Sequence, residues 1–226
     1  MVPEESATDE LLEIGKQLSV LSREGKDDLY FDTYRMDNGE IRFQSPIERM
    51  SDIDRIYDKV AARSYKLDSP KYKPLREQFG KLVESDKLAV VIQPLNPHYI
   101  PEGVDMDEYT TVRHQEMTFD QQDADEVRKL AAEIVRLNKE RNATVPFSVY
   151  FYDFGGESNR MFVQDYGTSR AQFEQGRQKD HELMAGAEYD AWSGRVEELL
   201  RPVTVTCGEL VLEASHQPSD AGQDTK

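Results

Sequence analysis

Residues Leu29–Gln44, LYFDTYRMDNGEIRFQ, and Val149–Gln164, VYFYDFGGESNRMFVQ, stand 120 positions apart and follow one pattern. Each opens on an alternating, aromatic-rich segment, passes through residues suited to a turn, and returns in a short apolar–polar run. The offset sets Tyr30 and Phe31 on Tyr150 and Phe151, and Ile41-Arg-Phe-Gln44 on Met161-Phe-Val-Gln164. Asp37-Asn38-Gly39 tolerates the positive φ of a tight turn, and Gly155-Gly156 serves the second copy. Both stretches therefore read as β-hairpins.

The pattern extends outward from the hairpins. The same offset carries Ile53 onto Phe173, Tyr72 onto Trp192, Phe79 onto Leu199, and Val91-Ile92 onto Val211-Leu212. Leu11, Ile14, Leu18 and Leu21 recur at helical spacing, and a shift of 116 lays Leu11, Ile14 and Leu18 on Val127, Leu130 and Ile134. Expected in the first half are helices over 6–22, 51–64 and up to 84, with a strand over 88–93. Expected in the second are a strand over 111–119, a helix over 123–141, strands over 147–154 and 160–166, a helix over 169–200 weakened by Gly176, Gly186 and Gly194, and a strand over 203–214. Pro94-Leu-Asn-Pro-His-Tyr-Ile-Pro101 reads as a linker, since proline neither joins a ladder nor continues a helix. The expected organisation is a repeat over 1–95, a linker over 96–109, a repeat over 110–214 and a polar, disordered tail over 215–226. Met1 falls on Met117, so strand Thr111–Phe119 has no counterpart in the first repeat. A gap, a borrowed strand or a partner chain is expected between Leu88–Gln93 and Ile41–Gln44.

Strand-helix-hairpin-helix-strand is the split βαβ, or ferredoxin-like, order. Its helices cover one sheet face, and the bare face must be buried elsewhere. Two such units can close their bare faces on each other. In this element order, over nearly all of the chain before the tail, the sequence resembles the dimeric α/β-barrel superfamily in its tandem, fused form. The resemblance implies an α+β fold: two ferredoxin-like βαββαβ repeats packed sheet to sheet as a pseudo-dimeric α/β barrel, with the first strand of repeat one missing. It implies a monomer with pseudo-twofold symmetry or a homodimer. The superfamily spans antibiotic-biosynthesis-type monooxygenases, muconolactone isomerases and chlorite dismutases, so the fold does not select an activity.

Charge and composition narrow the partners. The 226 residues carry 28 Lys and Arg against 44 Asp and Glu, a net charge of −16. No Lys/Arg-rich run offsets it, which argues against nucleic acid and anionic membrane surfaces. No apolar run reaches membrane-spanning length. The N-terminal MVPEESATDE lacks the features of a signal peptide. The default compartment is the cytoplasm, unless a signal segment has been removed. Cys207 is the single cysteine and reads as a small buried hydrophobe.

Strand alternation sorts the candidate site residues. Phe31, Ile41, Phe43, Phe151, Met161 and Val163 fall on the helix-facing side. Tyr30, Asp32, Tyr34, Arg42 and Gln44 fall on the opposite side, with Tyr150, Tyr152, Phe162 and Gln164; His114 and Glu116 join them, as does Glu213. In one reading this polar, tyrosine-rich barrel lining binds a small molecule. His114 supplies acid–base chemistry, Asp32 or Glu116 orients it, Arg42 holds an anion, and Tyr30, Tyr34, Tyr150 and Tyr152 stack on a planar ligand. In the other, the same groups satisfy one another in an internal polar interface. The functions that follow are binding of a small anionic or aromatic molecule, a cofactor-independent monooxygenase or isomerase, or a non-catalytic structural or association module. His114, Glu116 and Asp32 lack a second histidine for a metal site, and no histidine lies in a haem motif. His181-Glu182 is followed by Ala185 where a zinc protease needs histidine. Neither metal nor cofactor is expected.

Overall fold

A computed structural model describes residues 5–24, 30–47, 52–54, 70, 73–83, 90–92, 97–154 and 157–216. The chain divides into two compact units, one formed by residues 1–86 with 209–226 and one by residues 87–208.

In the first unit, helix α1 (Glu5–Glu24) is followed by strands β1 (Asp32–Met36) and β2 (Ile41–Gln44) and by helix α2 (Lys73–Leu82). Leu12 and Ile14 bury the apolar side of α1, and Met36 is buried from β1. β1 and β2 pair antiparallel, with Asp32 opposite Gln44 and Tyr34 opposite Arg42. The returning C-terminus completes this unit. Thr33 donates its hydroxyl to the Ala214 carbonyl at 2.9 Å, Ser19 donates to the Ser215 carbonyl, and Phe31 and His216 exchange backbone hydrogen bonds. Ser215 and His216, which sequence reading assigns to the polar tail, are thus buried and bonded. The expected closing strand also stops early: residues 212–214 form a turn of 3₁₀-helix. Most of the expected helix over 51–64, including Ile56, Tyr57 and Val60, lies outside the described residues; residues 52–54 are helical.

The second unit contains β3 (Val90–Ile92), β4 (His98–Tyr99), β5 (Thr111–Thr118), α3 (Ala124–Arg141), β6 (Phe147–Phe154), β7 (Arg160–Gly167), α4 (Arg170–Met184), α5 (Ala187–Leu199) and β8 (Arg201–Leu210), whose last two residues belong to the first unit. Its sheet runs β8-β5-β7-β6-β3, with β4 also on β6. The stretch β8-β5-β7-β6 has the ferredoxin-like order, in which the first and last strands of the βαββαβ unit lie side by side. β3 pairs antiparallel with β6 through Val91–Tyr152 and Ile92–Phe151. The strand expected to close the first repeat is therefore part of the second unit.

Local chemistry explains the elements. Asp125 and Glu126 begin α3 and Lys139 and Arg141 end it, each sign matched to the helix dipole. Asn142 caps α3 in the left-handed region at φ 52°. Val127, Leu130, Ala131 and Val135 line its buried side, and each large side chain contributes about 2 kcal/mol of transfer free energy. Val127, Ala131 and Val135 pack with Met117, Val149, Phe151 and Met161 of the sheet. The helix expected over 169–200 breaks at Ala185-Gly186, where Gly186 has φ 142°. Arg141 Nη1 donates to the carbonyls of Leu183, Met184 and Ala185 and holds the break in place. The proline-rich stretch is also more than a connection. His98 and Tyr99 pair with Ser148 and Phe147, and the buried Tyr99 hydroxyl donates to the Ala143 carbonyl at 2.6 Å.

Hairpin register refines the sequence comparison. Gln44 lies opposite Asp32, whereas Gln164 lies opposite Ser148. With Gln44 set on Gln164, the first strands are offset by 148 − 32 = 116. That equals the shift that lays α1 on α3. Tyr34, and not Tyr30, is then the counterpart of Tyr150. The 120-residue offset holds only for the second strands, because the second hairpin is four residues longer between the matched pairs, 148 to 164 against 32 to 44.

Candidate ligand cavity between the sheet and helices of the second unit

The register of β5, β7 and β6 creates two chemically different faces. Arg113, Gln115 and Met117 lie opposite Asp165, Val163 and Met161, and Phe147, Val149 and Phe151 lie opposite Asp165, Val163 and Met161 from the other side. This is the face that α3 covers. His114 and Glu116 lie opposite Gln164 and Phe162, which in turn face Ser148 and Tyr150.

The second face gathers four of the predicted residues around one ring. His114 is buried and stacks on Phe162 at 5.2 Å; Tyr150 stacks on it at 4.8 Å, and Tyr152 meets it edge-on at 5.8 Å. The Tyr152 hydroxyl donates to Glu116 Oε1 at 2.8 Å. The other four lie in the first unit. There the Tyr30 hydroxyl donates to Asp32 Oδ2 at 2.9 Å, Tyr34 is buried, and Arg42 donates to Glu40 Oε2 through Nε and Nη2. Phe43, expected to face a helix, is half exposed.

The helix-facing side holds what sequence reading missed. A cavity of about 290 Å³ lies between the sheet and α3, α4 and α5. Met117, Val149, Met161 and Val163 form its floor, and Val127, Leu130, Ala131 and Ile134 form one wall. Arg113 and Asp165 mark its polar end, joined at 2.9 Å with side chains only 13% and 15% exposed. Arg177 and His181, both exposed on α4, stand at its edge. From α5, Tyr189 and Trp192 stack at 5.4 Å, and the Trp192 indole N–H donates to the Leu130 carbonyl. Trp192 is thus half-buried cavity wall, not enclosed core.

Electrostatics at the polar end are mixed. Burial raises the Asp165 pKa above its ordinary 3.8, opposed by the charge and hydrogen bond of Arg113 and by the charge of Arg177. Burial also raises the Tyr189 phenol. Asp180 is held differently: it accepts from the Thr144 amide and hydroxyl and from the Val145 amide, all within 2.9 Å, and so ties α4 to the turn before β6. A signal for this site existed in the sequence. Alternation that puts Met117 and Val163 toward the helices puts Arg113 and Asp165 there too, and two opposite charges at expected core positions mark a buried pair.

Among the described residues no three His, Cys, Asp or Glu side chains converge as a metal site, and no helix is long and apolar enough to cross a membrane.

No protein-family model matches the chain, and no curated protein matches it. Solved structures do. A candidate monooxygenase from Lactobacillus acidophilus is 10% identical, covering 93% of this chain and 90% of its own, with TM-score 0.50. An anthrone oxidase-like protein is 14% identical, covering 93% and 88%, with TM-score 0.56. A candidate monooxygenase from Fusobacterium nucleatum is 7% identical, covering 92% and 86%, with TM-score 0.53. At these identities the likeness shows the fold alone, an α+β arrangement of helices on an antiparallel sheet.

Proposed function

We propose that the chain binds a small, largely apolar molecule in the helix-side cavity of its second unit. The observation that carries this reading is the about 290 Å³ space with an apolar floor and one buried charge pair at its end. Such sites combine hydrophobic area with a few orienting polar groups. Cofactor-independent oxygenation or isomerisation of that molecule is the chemistry in keeping with structural neighbours described as monooxygenases. Within this reading, Asp165 is the group to hold or accept a proton, Arg113 stabilises negative charge, and Tyr189 and Trp192 offer flat surface.

A second reading puts the ligand on the opposite face, among His114, Glu116, Tyr150 and Tyr152. The stacking of His114 and Tyr150 on Phe162 favours it. Methionine methyl NMR separates the two, because Met117, Met161 and Met184 line the helix-side cavity. Titration with small aromatics should shift those methyl signals. Shifts confined to the His114 and Tyr150 rings would transfer the site to the other face.

We also propose that the chain arose by duplication of one βαββαβ unit. The common 116 shift of the first helix and first hairpin strand supports it, with the longer second hairpin accounting for the change to 120.

A further inference from the structure

Arg113 has five N–H donors. Its Nη1 donates to Asp165 Oδ2 at 2.9 Å, and among the described residues no other acceptor takes the rest. The side chain is 13% exposed and lines the cavity. The remaining donors form a planar fork suited to a carboxylate. Met117, Met161 and Val149 line the same cavity further along the sheet as an apolar floor. An apolar cavity of about 150 Å³ is enough for benzene, so the volume here admits a two-ring ligand.

Charge balance completes the argument. The titratable and charged groups that line the cavity are Arg113 from β5, Asp165 from β7, Arg177, Asp180 and His181 from α4, and Tyr189 from α5. Two arginines face two aspartates there, and Arg177 also meets the exposed Glu174 at 3.8 Å. An incoming anion that shares Arg113 with Asp165 leaves one negative charge too many in a partly dry space. Two carboxylates on one guanidinium cannot both stay ionised at low cost. Asp180 is already engaged, accepting from the Thr144 and Val145 amides.

We infer that the cavity takes a flat aromatic monocarboxylate whose carboxylate rests on the donors of Arg113 left over from Asp165, and that Asp165 takes up a proton as the ligand binds. The proton comes from solvent, no covalent bond to the ligand forms or breaks, and affinity rises as pH falls towards the range in which the ligand itself protonates. This rests on the helix-side reading of the site.

The test is titration calorimetry of the full chain with 1-naphthoate and its neutral near-isostere 1-naphthalenemethanol, in two buffers of different ionisation enthalpy at pH 7. Naphthoate should bind at least tenfold more tightly than the alcohol, with a buffer-dependent enthalpy that reports proton uptake. Arg113→Gln should remove the preference for the anion, so that acid and alcohol bind alike. Asp165→Asn should abolish the buffer dependence while naphthoate still binds. Should Arg113→Gln fail to fold, Arg113→Lys keeps a charge for Asp165 but not the fork and should reduce the preference several-fold. Equal binding of alcohol and acid overturns the inference and leaves the cavity reading standing. A buffer-independent enthalpy for naphthoate overturns the proton uptake. Binding of neither compound overturns both the inference and the cavity reading.

Discussion

Arg113 and Asp165 lie directly opposite each other on β5 and β7, 2.9 Å apart at their charged ends, on the sheet face that packs against helices. On the same face of these two strands Gln115 lies opposite Val163 and Met117 opposite Met161, each pair with an apolar residue, and Thr111 lies opposite Gly167 at the end. The pair is therefore the polar exception in an apolar layer, and the cavity opens beside it.

Breaking the pair should be costly. Arg113→Met leaves Asp165 buried without its partner, a change that destabilises by about 3 kcal/mol. The double replacement Arg113→Met with Asp165→Leu should recover most of that loss, because an apolar pair matches the rest of the layer. Urea unfolding of the wild-type chain and the two variants gives the comparison. A double variant as unstable as the single one would show that the pair supplies packing and not only mutual neutralisation.

Asp165 should titrate late. Its proton is held more tightly in the folded chain than in the unfolded one, so the folded state binds more protons between 3.8 and the raised value. Stability due to this group is then greatest below that window and falls as pH rises through it. Carboxyl ¹³C NMR should give an Asp165 midpoint above 3.8, and the wild-type chain should gain stability relative to Asp165→Asn as pH is lowered through the window. A midpoint below 3.8 would mean that Arg113 and Arg177 outweigh burial.

Asp180→Ala should loosen α4. The change strands the amides of Thr144 and Val145 and the Thr144 hydroxyl at the turn entering β6. The expected loss is about 2 kcal/mol, read as a lowered Tm. Hydrogen exchange should show faster exchange of the Thr144 and Val145 amides, with β5 unaffected.

Gly167→Ala tests how closely α4 must approach β7. A Cβ at Gly167 would lie 2.7 Å from the Phe173 Cβ, which sits next to the helix backbone and has little freedom to retreat. The expected cost is about 2 kcal/mol of overpacking. A Tm equal to wild type would show that α4 can slide on the sheet.

Much of the second unit was legible because its periodicities are strong. The Val127, Leu130 and Ile134 spacing foretold α3, and the alternation of 147–154 and 160–166 foretold β6 and β7 with the correct faces for Phe151, Met161, Tyr150 and Phe162. The grouping of His114, Glu116, Tyr150 and Tyr152 on one face followed from the same alternation. Hairpin register was not legible. Offset comparison aligns letters, and a hairpin lengthened by four residues leaves the letters of both strands plausible while moving the first strand's partners.

The sequence by itself determined the α+β class, the acidic charge and, in the second unit, the succession of strands with α3 and the sorting of β6 and β7 residues between sheet faces. These are local matters of period, turn chemistry and composition. Tertiary structure decided that Val90–Ile92 joins β6, that Ser215 and His216 are buried against Phe31 and Thr33, that α4 and α5 part at Gly186, and that a cavity opens beside Arg113 and Asp165. Each depends on contacts between residues far apart in the chain. Strand partners are chosen by which backbone edges remain unpaired, and a cavity is set by how closely helices can approach a sheet, neither of which is written in the pattern of any one segment.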